Sequence, residues 1–435
     1  MLNRNKTFTT VEIKEKELKI NAYRILNNQI ISIFDNTFNA QDNSAFLDEY
    51  GVIKANSVPE IKKNIAENFK SLAKANSSFE NNEVYLVLPS TTYSYTTKKY
   101  PFKHDNLTLI TTDFVQDCYK KAIKKEQLAY SGSHLQTELM QVRVDGVKYD
   151  VKDIFVEGKE LEIIFAVKSI YKKVYESHEN VVAKAGENVS GYMTNLEALY
   201  NSIDRAGKNE TDIVVVNWKN DKLEAGLFKS GSFVEYTSIP FGMEYIIESL
   251  AKEFGLEAEV VTHYLYNNIN FESKNILRSV FLKFKTQFGL RSLTGEEIQR
   301  IIKIRVKAKY NEIKESFISK SKIDFNVTPV FNFGLIQEIP NGITLLSNTK
   351  SSFDYLNKKN IIGAFKNSDH FVSFGLISNF VNKVIPNEIK NISENNSINP
   401  INMQFGFIQE LKGQNMSSSH LYLKNDGILI DKVEA

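Results

Sequence analysis

Residues 212–242 read DIVVVNWKNDKLEAGLFKSGSFVEYTSIPFG. Three runs rich in β-branched and aromatic residues are separated by two short polar turns, Lys219-Asn220-Asp221 and Lys229-Ser230-Gly231. Apolar runs bounded by Lys, Asn, Asp, Ser and Gly predict an antiparallel meander of three strands. The run then passes into a helix over 243–254, with Ile246, Ile247, Leu250 and Phe254 on one face and Gly255 as its C-terminal cap.

The same plan occurs near the N-terminus. FTTVEIKE (8–15), LKINAYRI (18–25) and QIISIF (29–34) predict a second meander. A helix follows, capped by Ser57, with Pro59 in its first turn and Ile61, Ile65, Phe69 and Leu72 as its apolar stripe. EVYLVLPS (83–90) reads as a buried strand. Residues 91–170 have a pattern of their own: a helix over 112–124, then strands in HLQTELMQVRV, VKYDVKDIFV and KELEIIFAV, the last two joined by a turn at Glu157-Gly158. Helices near 170–185 and 194–202 lead back to the opening stretch. Downstream, Thr294 and Glu297 form a T-x-x-E capping box for a long helix over 294–317, whose apolar positions Ile298, Ile302, Val306, Tyr310 and Ile313 step by three or four. Strands follow in VTPVFNFGL and GITLLS, then a helix built on Phe371, Phe374, Leu376, Ile377 and Phe380, a polar linker over 386–400, and a hairpin in HLYLKNDGILIDKVEA turning at Asn425-Asp426-Gly427.

With 435 residues the chain exceeds one ordinary core, and 42% hydrophobic residues suffice to fill two. Fifty-four basic side chains nearly balance 52 acidic ones, which excludes the chain-wide basic footprint of a nucleic-acid binder and leaves partners to be read locally. Cys118 is the single cysteine, so no internal disulfide forms, and it shares a helical face with Phe114 and Ala122, the pattern of a core thiol. The start has no apolar leader segment and no stretch is long enough to span a bilayer, so a cytoplasmic protein is expected.

The order of these elements resembles FtsA, the bacterial actin homologue of cell division, over about residues 8–384. The likeness is carried by VEIKEKELKI, VYLVLPS, GKELEIIFAV and the strand order of 212–242. SLTGEEIQRIIKIR (292–305) is similar to the family's stretch ending in IIxxR, with Ile301, Ile302 and Arg305 on the matching positions. The resemblance implies an α/β, actin-like (ribonuclease H-like) two-domain ATPase fold with an inserted α+β subdomain of the SHS2 type. Domain one would comprise 1–90 and 171–208, with 91–170 as the insert. Domain two would comprise 209–249 and 326–364, with 250–325 as its helical subdomain, 365–385 as a closing helix, and 386–435 as linker and hairpin.

The resemblance also defines a nucleotide site, and this chain departs from it. The family's second phosphate loop resembles DIGGGTTD, whose glycines let backbone N–H groups approach phosphate oxygens. Here Asn217-Trp218-Lys219-Asn220-Asp221-Lys222-Leu223-Glu224 stands in that place, without any of the three glycines. The first loop, DIGT or EIGT in the family, is Glu12-Ile13-Lys14-Glu15, and the adenosine-side glycine pair becomes Ser347-Asn348. The implied ATP contacts are therefore Glu12, Lys14, Asn217, Lys222, Glu224, Ser347 and Asn348, in degenerate form. Side chains in a phosphate cradle block close approach, and Glu15 and Glu17 repel the anion, although Lys14, Lys219 and Lys222 offer point charges in return. The expectation is a pseudo-ATPase: no catalytic residue, no metal ligand, no cofactor held, and magnesium–ATP bound weakly at most.

As partner, the resemblance implies the C-terminal tail of the tubulin-like protein FtsZ at the division site, met by Arg300, Lys303 and Arg305 on the 294–317 helix, with self-association as a further property. Family members carry an amphipathic tail that lies on the membrane. The one stretch of that kind here, FVSFGLISNFVNKVI, aligns with an internal helix and is expected to be buried, which speaks against direct membrane binding. Two other readings of the fold stay open at this point: an ATPase whose polymerisation follows nucleotide state, and a pilus-assembly relative.

Overall fold

Both meanders form as the residue patterns predict. At the N-terminus β1 (Thr7–Ile13), β2 (Glu17–Leu26) and β3 (Gln29–Asn39) pair antiparallel in sequence order. Helix α1 (Val58–Ala75) follows, with Glu60 in its first turn and Lys74 in its last, as the helix dipole favours. Its stripe of Ile61, Ile65, Phe69 and Leu72 is buried against the sheet. The chain then returns as β4 (Asn82–Leu88), parallel to β1. The computed structural model describes residues 7–342, apart from 27–28, 42–43, 76–81, 131, 152–153, 204–211, 272–277, 287–288 and 325–326, together with 371–377, 421–424 and 427–430.

Residues 93–171 then build a sheet of their own. Strand β5 (Tyr93–Thr111) leads into α2 (Thr112–Ala129), which is followed by β6 (Ser133–Val144), β7 (Val147–Tyr149) and β8 (Phe155–Tyr171), in the order β5-β8-β6-β7 and antiparallel throughout. Helix α2 covers one face, packing Val115, Cys118 and Ala122 on Leu161, Ile163 and Phe165. Cys118 is 3% exposed, and burial pushes its thiol above the usual range, as befits a core residue. Two expectations fail here for physical reasons. Glu157-Gly158 is no turn: β8 runs straight through it, and Gly158 is needed because a Cβ would lie 2.2 Å from Val144 Cγ1. A two-residue turn does fall at Asp145-Gly146, but between β6 and β7; both residues have positive φ and the Asp145 carboxylate accepts from the amides of Lys159 and Glu160. Second, β5 was not legible as a strand, since Pro101 and alternating charges interrupt it. It lies at the sheet edge, where a missing N–H and charged side chains are tolerated.

Helix α3 (Lys172–Lys184) and β9 (Val189–Thr194), parallel to β4, complete the first sheet in the order β3-β2-β1-β4-β9. Helix α4 (Asn195–Ser202) starts at a capping box between Thr194 and Glu197. The opening stretch then gives β10 (Ile213–Trp218), β11 (Leu223–Lys229) and β12 (Ser232–Ile239), followed by α5 (Met243–Phe254), which ends at Gly255 in the left-handed conformation. Next come α6 (Ala258–His263), the hairpin β13 (Val280–Thr286) and β14 (Gly289–Thr294), and α7 (Gly295–Ser321) with the expected Thr294/Glu297 box and buried stripe. Strand β15 (Val330–Gly334) runs parallel to β10, giving the order β12-β11-β10-β15. Strands β16 (Leu421–Lys424) and β17 (Gly427–Ile430) form the expected C-terminal hairpin.

Each large sheet is thus a meander whose first strand also pairs, in parallel, with a strand arriving after a helical connection. This duplicated arrangement is the actin-like, ribonuclease H-like α/β fold, carrying an inserted α+β unit. The two sheets share a core of Phe8, Val87, Val215 and Phe331, filled from between by α4 and the 371–377 helix. These two helices cross at Gly375, where a Cβ would sit 1.7 Å from the carbonyl oxygen of Ala198. The 371–377 segment is accordingly buried, as expected for the internal helix.

Candidate functional site

In an open α/β sheet, ligands are received beyond the carboxyl ends of parallel strands. For β1, β4 and β9 those ends carry Ile13, Leu88 and Thr194; for β10 and β15 they carry Trp218 and Gly334. Residues from both sheets meet here around one buried carboxylate, that of Glu224 on β11, which is 0% exposed. Lys219 Nζ lies 2.7 Å from its Oε2 and Lys222 Nζ 3.2 Å from its Oε1, both reaching back from the β10–β11 turn. Tyr236 OH donates to Oε1 at 3.2 Å from β12, and Asn195 Nδ2 donates to Oε2 at 3.4 Å from the start of α4. Asn195 in turn accepts from Ser90 Oγ, which itself accepts from the Leu196 amide at 3.2 Å. Burial by itself would raise the Glu224 carboxyl; the two ammonium groups outweigh it and hold the group below the usual carboxylate range. Burial, with the Glu224 charge behind it, pushes the Tyr236 phenol far up, so it stays protonated and donates.

The backbone of the β10–β11 turn is equally committed. Lys219 N donates to Lys222 O at 3.0 Å, closing the turn. The carbonyls of Lys219 and Asn220 accept from Met243 N and Glu244 N at 3.0 and 2.9 Å. Those two amides open α5, and a helix's first amides are its natural anion site, so here they are spent within the chain. Gly242 makes the approach feasible: a Cβ there would lie 1.9 Å from Asn220 O. Gly334, with φ +87°, performs a similar service at the end of β15, 2.3 Å from Trp218 O and 2.6 Å from Asn217 Oδ1 by the same measure.

Of the residues singled out from the sequence, Asn217, Lys222 and Glu224 come together in this cluster. Glu12 is half-buried on β1, opposite Lys19, and Lys14 turns over the β1–β2 connection, its Nζ 3.4 Å from Glu17 Oε2. Ser347 and Asn348 lie outside the described residues. The glycine that the strand order places beside the β10–β11 turn is Gly334, in the VFNFGL run. Asn195, Ser90, Tyr236 and Gly242 were also missed. The IPFG tetrapeptide before α5 was the available signal for Gly242.

A magnesium-bound triphosphate needs converging backbone amides and oxygen ligands for the metal. The turn offers side chains at all three positions that the resemblance assigns to glycine, its Lys219 amide is already bonded to Lys222 O, and both its lysines are engaged by the Glu224 carboxylate. Among the described residues no group of three or more His, Cys, Asp or Glu could hold a metal ion. The residues present do not fit that ligand as they are placed.

On α7 the three cations differ. Arg305 is committed within the chain: NH1 donates to Ser249 Oγ, and NH2 lies 2.5 Å from Glu253 Oε2, both on α5. Arg300 is exposed and Lys303 half-exposed, and neither makes an ion pair among the described residues. Ile304, 63% exposed, lies between them and the next turn.

No family model matches this chain, and no curated protein sequence does. Among solved structures it is similar to a chain of the PilM-PilN type IV pilus biogenesis complex, at 12% identity and a TM-score of 0.49, covering 78% of this chain and 85% of that one. MreB5 of Spiroplasma citri bound to ADP gives 11% and 0.47, covering 89% and 100%. The ethanolamine utilization protein EutJ of Carboxydothermus hydrogenoformans gives 10% and 0.43, covering 85% and 88%. The fold assignment stands on the strand order, to which superpositions at these values add nothing. No helix among the described residues is long and apolar enough to cross a membrane.

Proposed function

We propose that this chain is a non-hydrolysing scaffold of the FtsA type, in which the nucleotide cleft has become a structural ion cluster and the working surface is α7. The observation that supports it is the Glu224 carboxylate, fully buried and held by Lys219 and Lys222 where the fold would otherwise cradle phosphate. The partner is the acidic C-terminal tail of an FtsZ-like filament protein, which the exposed Ile304 beside Arg300 and Lys303 suits. Arg300 and Lys303 are the contacts, since Arg305 already braces α7 on α5. Titration with a fluorescent ATP analogue and magnesium, together with a phosphate-release assay, tests the first half. Micromolar affinity with steady release would establish the chain as an ATPase instead. For the second half, Arg300→Glu lowers capture of an FtsZ tail peptide about five- to tenfold if it contacts the peptide; unchanged capture removes α7 as the docking surface.

A further inference from the structure

The insert has a core of its own. Ile110, Val115, Cys118, Leu161, Ile163 and Phe165 pack within it, and no residue of either domain belongs to it. What seats the insert on the body is the foot where β5 and β6 begin and β8 ends. There Tyr93 and Ile170 enter the core of domain one, and the Tyr95 ring lies 4.0 Å from that of Phe233 on β12 of domain two. His134 packs on Tyr175 and Tyr192, with ring centroids 4.7 and 5.4 Å away. Beside these contacts sits one buried ion pair: Lys168 on β8 donates to Glu197 Oε1 on α4, their side chains 12% and 9% exposed. Burial alone would lower the Lys168 ammonium; Glu197 outweighs it and holds the group above its usual value, so the lysine stays charged. The other oxygen of the Glu197 carboxylate closes the capping box, accepting from Thr194 N at 3.2 Å and Thr194 Oγ1 at 2.8 Å. Between cap and carboxylate stands Asn195, whose side chain donates to Glu224. One buried helical turn thus holds the insert with one residue and the cleft cluster with another.

We propose that the Lys168–Glu197 pair is a coupling element, through which the seating of the insert and the integrity of the Glu224 cluster form a single equilibrium. Glu197 cannot release Lys168 without being left as a buried carboxylate that lacks a counter-charge. It relieves that state only by taking a proton or by turning from the cap, and either weakens its hold on Thr194, the N-cap that places Asn195 on Glu224. Lifting the insert therefore loosens the β10–β11 turn, and disturbing the turn frees the insert by the same factor, as linkage requires.

Amide hydrogen exchange on the full chain tests this at three places: the turn amides of Lys219, Met243 and Glu244, the β5–β8 pair at Tyr95 and Lys168, and the β2–β3 pair as a reference. Lys168→Met speeds exchange at the turn about tenfold, an ordinary size for coupling between sites, and leaves the reference unchanged. Should that variant fail to fold, Glu197→Gln carries the same expectation, since glutamine retains the capping box and removes only the charge. Lys98→Met is the control: it breaks an ion pair of 3.3 Å to Glu126 inside the insert and leaves the turn as in the wild type. Joining Lys168→Met to Glu197→Gln leaves neither charge alone and restores most of the protection. In the reverse direction, Lys219→Ala with Lys222→Ala speeds exchange at Tyr95 and Lys168 about tenfold. Turn amides as slow in Lys168→Met as in the wild type, or a double variant no better protected than the single ones, overturns the proposal. Equal acceleration in β2–β3 overturns it as well, since the pair would then add stability to the whole chain and couple nothing.

Discussion

Replacing Lys219 and Lys222 by alanine together strips a fully buried carboxylate of both its cations. Removing one side of a buried ion pair costs about 3–5 kcal/mol, because the other charge stays behind uncompensated. Asn195 and Tyr236 still donate to Glu224, and the lysines are 26% and 28% exposed, so water can follow where they withdraw. The expected loss therefore sits at the low end, about 3 kcal/mol at neutral pH, or about 6 to 10 °C in Tm for a unit of this size. The dependence on pH is the sharper signature. In the wild type the folded carboxyl lies below its unfolded pKa, so its contribution is present above the unfolded value and is lost as pH falls through the folded one. In the double variant burial is opposed only by the two neutral donors Asn195 and Tyr236, so the folded pKa of Glu224 rises above the unfolded one and the sign reverses: stability is lost as pH rises. The deficit should be small near about pH 4 and fully open near about pH 7.5. Thermal unfolding followed by circular dichroism at the two pH values measures it, with Glu224→Gln added to the double variant expected to recover most of the loss. An equal deficit at both pH values, or no recovery with glutamine, would refute the assignment of Glu224 as the charge that the lysines hold.

The remaining predictions concern packing and the α5–α7 brace. Gly375→Ala forces a Cβ to 1.7 Å from Ala198 O, a backbone atom that cannot step aside, so it should cost more than about 3 kcal/mol in denaturant unfolding; a loss below about 1 kcal/mol would mean that the two helices separate freely. Arg305→Glu removes the bonds to Ser249 and Glu253 and sets two carboxylates against each other, so it should destabilise by about 1–2 kcal/mol, whereas Arg300→Glu stays within about 0.5 kcal/mol.

What the sequence made legible was whatever its own periodicity encodes. The stripe of α1, the capping box and the Ile298, Ile302, Val306, Tyr310 and Ile313 face of α7, and both meanders needed no distant partner to be recognised. β9 and the β13–β14 hairpin were missed because VSGYMT is short and broken by Gly191, and FLKFKT alternates lysine with aromatic residues without a Gly- or Asn-rich turn in plain view. The candidate site was half legible. Glu224 and Lys222 stand out in the sequence, as does the absence of the three glycines, but separately: Lys222 reads as a charge offered to phosphate and the missing glycines as an obstacle to it. That they answer one another depends on a turn closing between Lys219 and Lys222, and on Asn195 arriving from the other sheet. Neither contact has a local signature.

The same geometry explains why the turn needs no glycine while the chain around it does. A glycine at 219, 220 or 221 serves a ligand; it lets an anion approach the backbone. Gly242 and Gly334 serve the protein, since α5 and β15 press on the turn whatever occupies the cleft, and a Cβ at either would strike a backbone oxygen. With Lys219 and Lys222 reaching Glu224, the buried charge is satisfied from within the chain. Building a phosphate cradle here would take more than introducing glycines. Placing Gly at 219, 220 and 221 without altering Glu224 would remove one of the two cations from a buried carboxylate and free no amide, because Met243 and Glu244 would still be bonded to the carbonyls of 219 and 220.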